Sequence, residues 1–191
     1  QPIQKIAKIC HKNQIIFHTD AVQAVGKITV DVKELDIDLL SISSHKLHGP
    51  KGIGALYIKD GVKINPMILG GGQEFRLRSG TENVANIVGF GQACEIAQNH
   101  LTENTALINK LQSQLVKKIL VEIPEVTFNG HEEYRLCNNA HFTFLGVNGE
   151  DLIIKLDEYG IAASTGSACS VNTQKASHVL EAMGFSLEQI T

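Results

Sequence analysis

The sequence has little that would hold nucleic acid or enter a membrane. Its net charge is −3, aromatic residues make up 5 %, and no basic run stands out. A footprint for phosphate backbones and a set of stacking platforms are therefore both missing. No apolar run approaches the length that spans a bilayer. The four cysteines, Cys10, Cys94, Cys137 and Cys169, are widely spaced and form no CxxC pair. That spacing argues for reduced thiols in a cytoplasmic setting and against a disulfide framework or a zinc site. The glycine-rich stretches GPKGIG and GGGQ lack the GxxxxGK[ST] of a Walker loop, and no GxGxxG opens a helix; a nucleotide loop of either type is not expected. His45 and His48 stand three apart, but no second ligand pair accompanies them. A structural role is the default for His11, His100, His131, His141 and His178, and no resident metal is expected.

What is present suits a globular α/β protein. The 191 residues are 43 % hydrophobic, enough for one substantial core, or one core and a smaller second one. Ile3, Ile6, Ala7 and Cys10 fall at helical spacing. IIFHTD then reads as a buried strand ending at Asp20, LDIDLLSISS as a second and GIGALYIKD as a third. Apolar strands alternating with helical pieces predict a sheet covered on both faces, with ligands at its strand ends. From Asn83 to about Leu120 the pattern is helical, with Leu107, Ile108, Leu111, Leu115 and Ile119 on one face, and Pro124 ends it. VTFNG, NNAHFTFLG, GEDLIIKLDEYG, IAAST and SHVLEAMG read strand, strand, helix, strand, helix. Two domains are expected, 1–104 and 105–191. The chain opens in what reads as mid-helix and stops without a closing element, so it is expected to be a piece of a longer protein.

Three stretches carry chemistry. In SISSHKLHGPKGIG, Lys46 stands between His45 and Leu47 where an apolar strand ends. A lysine buried there needs a partner or a task. In FHTDAVQAVGK, Asp20 ends a strand and Gln23 follows three residues on. A lone aspartate there is ordinarily a turn or cap residue. The alternative joins Asp20 to Lys46. A lysine bonded to a carbonyl cofactor has no charge to bury. Pyridoxal phosphate further needs an acid beside its pyridine nitrogen, a donor to its ring oxygen, and hydroxyl and imidazole donors for its phosphate. Asp20, Gln23 and the pair Ser43 and His45 supply these types. At an effective dielectric near 20 an aspartate–pyridinium contact is worth on the order of several kcal/mol. Residue types alone leave both readings open. In ASTGSACSVNTQ, Cys169 sits among small polar residues with no apolar period around it. That is the pattern of a reactive loop thiol, whereas Cys94, in GFGQACEIA, fits a packing role. The segment 164–173 is expected to be poorly ordered or exposed when no partner is bound.

Together HTDAVQAVGK, SSHKLHGPKGIG, GGGQEFRLRSGTENV and STGSACS, in that order over nearly the whole chain, resemble the NifS-type cysteine desulfurases of class V. The resemblance implies the aspartate-aminotransferase-like fold: part of the large pyridoxal-phosphate domain, then most of the small C-terminal domain. It implies that Lys46 bonds the cofactor, that Asp20 pairs with its ring nitrogen, and that Gln23 meets the ring hydroxyl. Ser43 and His45 would hold the phosphate, with Thr81 reaching the cofactor of a neighbouring subunit in a homodimer. It implies L-cysteine as substrate, Cys169 as the residue that takes its sulfur, and a sulfur acceptor or iron–sulfur scaffold protein as partner. Cys169 could then also serve as a passing iron–sulfur ligand. The loop STGSACS is of the long type. The family's ring-stacking histidine and substrate-binding arginine are not among the 191 residues. The alternatives are a selenocysteine lyase or another class-V enzyme, and an inactive scaffold fragment.

Overall fold

The computed structural model describes residues 1–163 and 177–186 and divides into two compact units, Gln1–Lys110 with Leu136–Asn138, and Leu111–Arg135 with Asn139–Thr191.

In the first unit, helix α1 (Ile3–Lys12) precedes strands β1 (His18–Asp20), β2 (Leu39–Ser43) and β3 (Gly54–Ile58). The predicted face of α1 is the one used: Ala7 is fully buried, and Ile3, Ile6 and Cys10 pack on the same core. The helix ends with Gln14 in the left-handed region. Its N–H donates to the His11 carbonyl and that of Ile15 to the Cys10 carbonyl, the paired bonds that close a helix C-terminus. Strand order is β1-β2-β3. β1 runs parallel to β2, with Asp20 opposite Ser41, and β3 runs antiparallel to β2, with Ser43 opposite Gly54. The segment 44–53 between β2 and β3 is too short for a parallel crossover.

The core lies on one side of this sheet. Phe17, Ala21, Ile37 and Leu40 are buried there with Ala7; each large side chain contributes roughly 1.5–3 kcal/mol. The other side carries His18, Leu39, Asp20, Ser41, Ser43 and Leu56. None of these is buried, so the expectation of two covered faces is not met among the described residues. The expected strand IIFHTD is also shorter and more open than its apolar letters suggest. Ile15 and Ile16 lie ahead of it, 54 % and 55 % exposed.

At the N-terminal end of β2 an ionic cluster fastens α1 to the sheet. His11 bonds Asp36 through Nδ1 (2.8 Å) and Asp38 through Nε2 (2.7 Å), and Lys59 donates to Asp36 (2.8 Å). Asp38 also accepts from the Phe17 N–H (2.8 Å). The bonds to Asp38 and then Asp36 raise the His11 pKa. Lys59 and then His11 lower that of Asp36. Burial pushes Asp38 up, but the Phe17 amide and His11 outweigh it and leave it low.

Helices α2 (Val84–Asn99) and α3 (Leu101–Glu122) are separated only by His100. Asn83 caps α2 by accepting from the Asn86 N–H. Phe90 and Ala93 of α2 pack on Leu47, with Ile42 and Ile53 alongside. Of the predicted α3 stripe, Ile108 and Ile119 are partly buried, and Leu107, Leu111 and Leu115 are about half exposed.

The second unit holds β4 (Val126–Phe128) paired antiparallel with β5 (Phe142–Phe144), then α4 (Gly149–Glu158) and α5 (His178–Ala182). Phe128 stacks on Phe142 at 5.1 Å, and the Arg135 guanidinium lies 3.6 Å over the Phe128 ring. The buried Asn129 side chain joins His141 and Thr143. Burial and then the nearby Arg135 lower the His141 pKa. Asn148 caps α4 by accepting from the Glu150 and Asp151 N–H groups. The strand expected at IAAST does not form over 161–163; its last two residues lie outside the described ones.

Candidate functional site

β1 and β2 end side by side, and the chemistry-bearing residues follow directly. Parallel register aligns Asp20 with Ser41, and the Ala21 N–H donates to the Ser41 carbonyl (2.9 Å). Asp20 is exposed and its Oδ1 accepts from the Val22 N–H (2.8 Å). That is the ordinary turn role of an aspartate. It leaves Oδ2 without a partner among the described residues. Gln23 is exposed in the same turn.

β2 passes into a 3-10 turn, Ser44–Leu47. Residues three apart eclipse one another in such a turn. Ser44 and Leu47 accordingly point inward and are buried, while His45 and Lys46 point outward and are exposed. The expectation of a buried Lys46 is thus corrected: the turn is buried and the lysine stands on its open side. Ser43 Oγ and His45 Nδ1 are hydrogen-bonded at 2.7 Å. His48 closes the turn in the left-handed conformation, and the Gly49 N–H returns to the Ser44 carbonyl at 3.1 Å. Only glycine fits at Gly49: a Cβ there would strike Ser44 Oγ and stand 2.9 Å from Ala93 Cβ.

Asp20, Gln23, Ser43, His45 and Lys46 therefore group at one end of two adjacent strands. Thr81 lies on the separate exposed segment before α2, and no described bond joins it to that group. Cys169, and with it the whole segment 164–173, lies outside the described residues. A cleft of about 290 Å³ near Thr81, lined by Pro66, Leu69, Gly70 and Arg76 among others, contains none of the predicted cofactor residues.

Two neighbours escaped the sequence reading. His18 Nε2 bonds Ser41 Oγ (2.8 Å) on the Asp20 side of the sheet. The period-two spacing of His18 and Asp20 was the available signal. Lys27 Nζ donates to the Lys46 carbonyl (2.9 Å). Burial pushes the Lys27 ammonium below its ordinary pKa, Cys137 opposes this, and Lys46 adds to it. No spacing rule announces a bond from a side chain to a distant backbone carbonyl.

The donor set fits pyridoxal phosphate. It offers a carboxylate oxygen for a ring nitrogen, a hydroxyl–imidazole pair for a phosphate, and a primary amine beside them on the open side of the turn. Comparison with known proteins agrees with that chemistry. The pattern of the class-V aminotransferase family matches residues 1–189. A curated relative named cysteine desulfurase IscS, from Clostridium botulinum, is 50 % identical over 186 residues, covering 96 % of this chain and 47 % of the relative. The structure of a NifS-like protein from Rickettsia africae superposes with a TM-score of 0.89 at 38 % identity, covering all of this chain and 50 % of that one. A structure described as SspA in complex with cysteine matches with a TM-score of 0.75 at 36 % identity, covering all of this chain and 52 % of that one. The chain spans about half the length of the curated relatives it matches.

Proposed function

The chain belongs to the class-V aminotransferase family, and on that premise we propose that it is the cofactor-binding part of a cysteine desulfurase. The observation that carries the proposal is the grouping of Asp20, the Ser43–His45 pair and Lys46 at the ends of β1 and β2. The cysteine desulfurase name of the relative at 50 % identity supports it.

Pyridoxal phosphate, when bound, supplies an electron sink for bond breaking at Cα and Cβ. Ser43 and His45 would hold its phosphate, Asp20 would keep its ring nitrogen protonated, Gln23 would donate to its ring oxygen and Lys46 would bond it. The Lys46 amine would also be placed to hold and move the proton at the substrate Cα. The Cys169 thiolate attacks the sulfur of L-cysteine. A sulfur–sulfur bond forms and the Cβ–S bond breaks with its electron pair left on Cβ, which takes a proton. L-Alanine leaves and Cys169 keeps a persulfide, so L-cysteine plus thiol gives L-alanine plus persulfide. The cysteine complex of the SspA neighbour is consistent with that substrate. The persulfide then passes to an acceptor for iron–sulfur cluster assembly or tRNA thiolation, with Cys169 able to act as a passing cluster ligand.

A homodimer is part of the proposal. The segment leading to Thr81 exposes Met67 (96 %), Leu69 (79 %) and Phe75 (94 %), an apolar surface that a second copy would cover. So is a reducing, cytoplasmic setting, which the unpaired thiols of Cys10, Cys94 and Cys137 suit.

Borohydride reduction and peptide mapping of the full-length protein test the site. The cofactor is expected on Lys46, and Lys46→Ala is expected to lose the covalent bond. Cys169→Ser is expected to keep that bond and form no persulfide. Cofactor on Lys51 or Lys59, or a Cys169→Ser variant releasing alanine and sulfide from cysteine at the wild-type rate, overturns the proposal. Turnover of selenocysteine but not cysteine would move it to the lyase class.

A further inference from the structure

Lys46 presents its amine from the exposed side of a short turn, so packing of its own side chain does not hold it. Its backbone is held instead, and Lys27 does much of the holding. The last carbonyls of any helical turn lack intrahelical donors. In the turn Ser44–Leu47 the Ser44 carbonyl takes the Gly49 N–H, and the Lys46 carbonyl takes the Lys27 ammonium at 2.9 Å. A basic side chain at a helical C-terminus is a favourable partner for such a carbonyl.

Lys27 is itself fixed. Its carbonyl accepts from Thr105 Oγ1 (3.0 Å), and the buried Cys137 thiol lies 4.0 Å from the same oxygen. Before it, Gly26 adopts φ +77° and packs so close that a Cβ would stand 2.7 Å from Leu47 Cδ2. Gly26 against the Leu47 side chain and the Lys27 side chain against the Lys46 carbonyl therefore bring two chain segments together. An ammonium partly withdrawn from water is costly unless it is hydrogen-bonded, and among the described residues the Lys46 carbonyl is its hydrogen-bond partner.

We propose that Lys27 is a positioning residue for Lys46, fixing the turn so that the Lys46 amine stays where the cofactor is bonded. This rests on the assignment of Lys46 made above. Its effect acts through Lys46; Lys27 itself is not assigned any contact with cofactor or substrate.

The test uses full-length apoprotein mixed with pyridoxal phosphate and quenched with borohydride at timed intervals. The cofactor label on the Lys46 peptide is counted. Because an error of ~1 Å in placement can cost about a hundredfold in rate, Lys27→Met is expected to slow attachment about tenfold or more, and Lys27→Arg, which keeps the donor, to recover it to within about threefold. Hydrogen exchange at the Gly49 amide, which spans the turn, is expected to quicken in Lys27→Met and not in Lys27→Arg. Attachment at the wild-type rate in Lys27→Met overturns the proposal, and so does an Arg variant as slow as the Met variant. Lys27→Gln replaces Lys27→Met should that variant not fold. If the wild-type protein carries its label on another lysine, the Lys46 assignment fails. The clamp is then judged on exchange alone: faster Gly49 exchange in Lys27→Met supports it, and unchanged exchange overturns it.

Discussion

Replacing Asp38 tests what holds α1 and β1 to the sheet. Its side chain is 10 % exposed. Its Oδ2 accepts from the Phe17 N–H at 2.8 Å and meets His11 Nε2 at 2.7 Å, while Lys59 Nζ lies 3.6 Å from Oδ1. Asp38→Ala leaves the buried Phe17 amide without an acceptor, which costs about 1–3 kcal/mol. Loss of the anion between His11 and Lys59 acts in the same direction. Asp38→Asn keeps an oxygen for the amide and loses only the charge, so it is expected to destabilise less. With a urea slope of about 2 kcal/mol/M, Asp38→Ala should lower the unfolding midpoint by about 1 M. Urea titrations of the wild type and both variants, followed by far-ultraviolet circular dichroism, measure the order. An Ala midpoint within about 0.2 M of wild type at that slope would refute the role given to this carboxylate. An Asn variant as unstable as the Ala variant would refute the role given to the amide bond.

The same cluster predicts a pH dependence. His11 titrates above its ordinary 6.5, so its contribution is full below pH 6.5 and is lost as pH rises through the folded value; Asp36 and Asp38 titrate below 3.8, so theirs is full above that pH and lost as pH falls through their folded values. Thermal melts at a series of pH values above 6.5 should show a stability loss that His11→Gln removes, and an identical slope in both proteins would contradict it. Thr81→Ala in the full-length protein is expected to weaken retention of pyridoxal phosphate about tenfold, the loss of a hydrogen bond to a charged group; dialysis against buffer measures it, and unchanged retention would refute the role proposed for Thr81.

The sequence made legible those features whose period matches their structure. The face of α1 was readable because Ile3, Ile6, Ala7 and Cys10 recur at helical spacing and all pack on one core. The ends of β1 and β2 were readable because polar clusters follow apolar runs, and Asp20, Gln23, Ser43, His45 and Lys46 gather there while Thr81 lies apart. The exposure of Lys46 was not readable, because the chain changes from a period of two to a period of three at Ser44 and a lysine soon after it changes side. The antiparallel direction of β3 was available from the shortness of 44–53. Cys94 reads as a packing residue and packs as one, partly buried beside Leu47, Phe90 and Ala93, where burial pushes its thiol pKa up. Lys27 was out of reach, since its partner is a backbone carbonyl.

The two ends of β2 are coupled by register. Phe17 is tied to the start of β2 three times: its N–H donates to Asp38 Oδ2, and its carbonyl accepts from the Asp38 and Leu39 N–H groups at 3.2 and 3.1 Å. These bonds set His18 opposite Leu39, and the pairing then carries Asp20 to Ser41. β1 has only three residues, so it has little ladder of its own with which to resist a slip. A slip of one residue in β1 would turn Asp20 toward the packed side of Leu40 and put Thr19 in its place, because strand side chains alternate with a period of two. A carboxylate would then be buried in an apolar core, and the place proposed to meet the cofactor's ring nitrogen would hold a hydroxyl. The Asp38–Phe17 bond, at the end of the sheet remote from Lys46, therefore protects the placement of Asp20 as well as the stability of the fold.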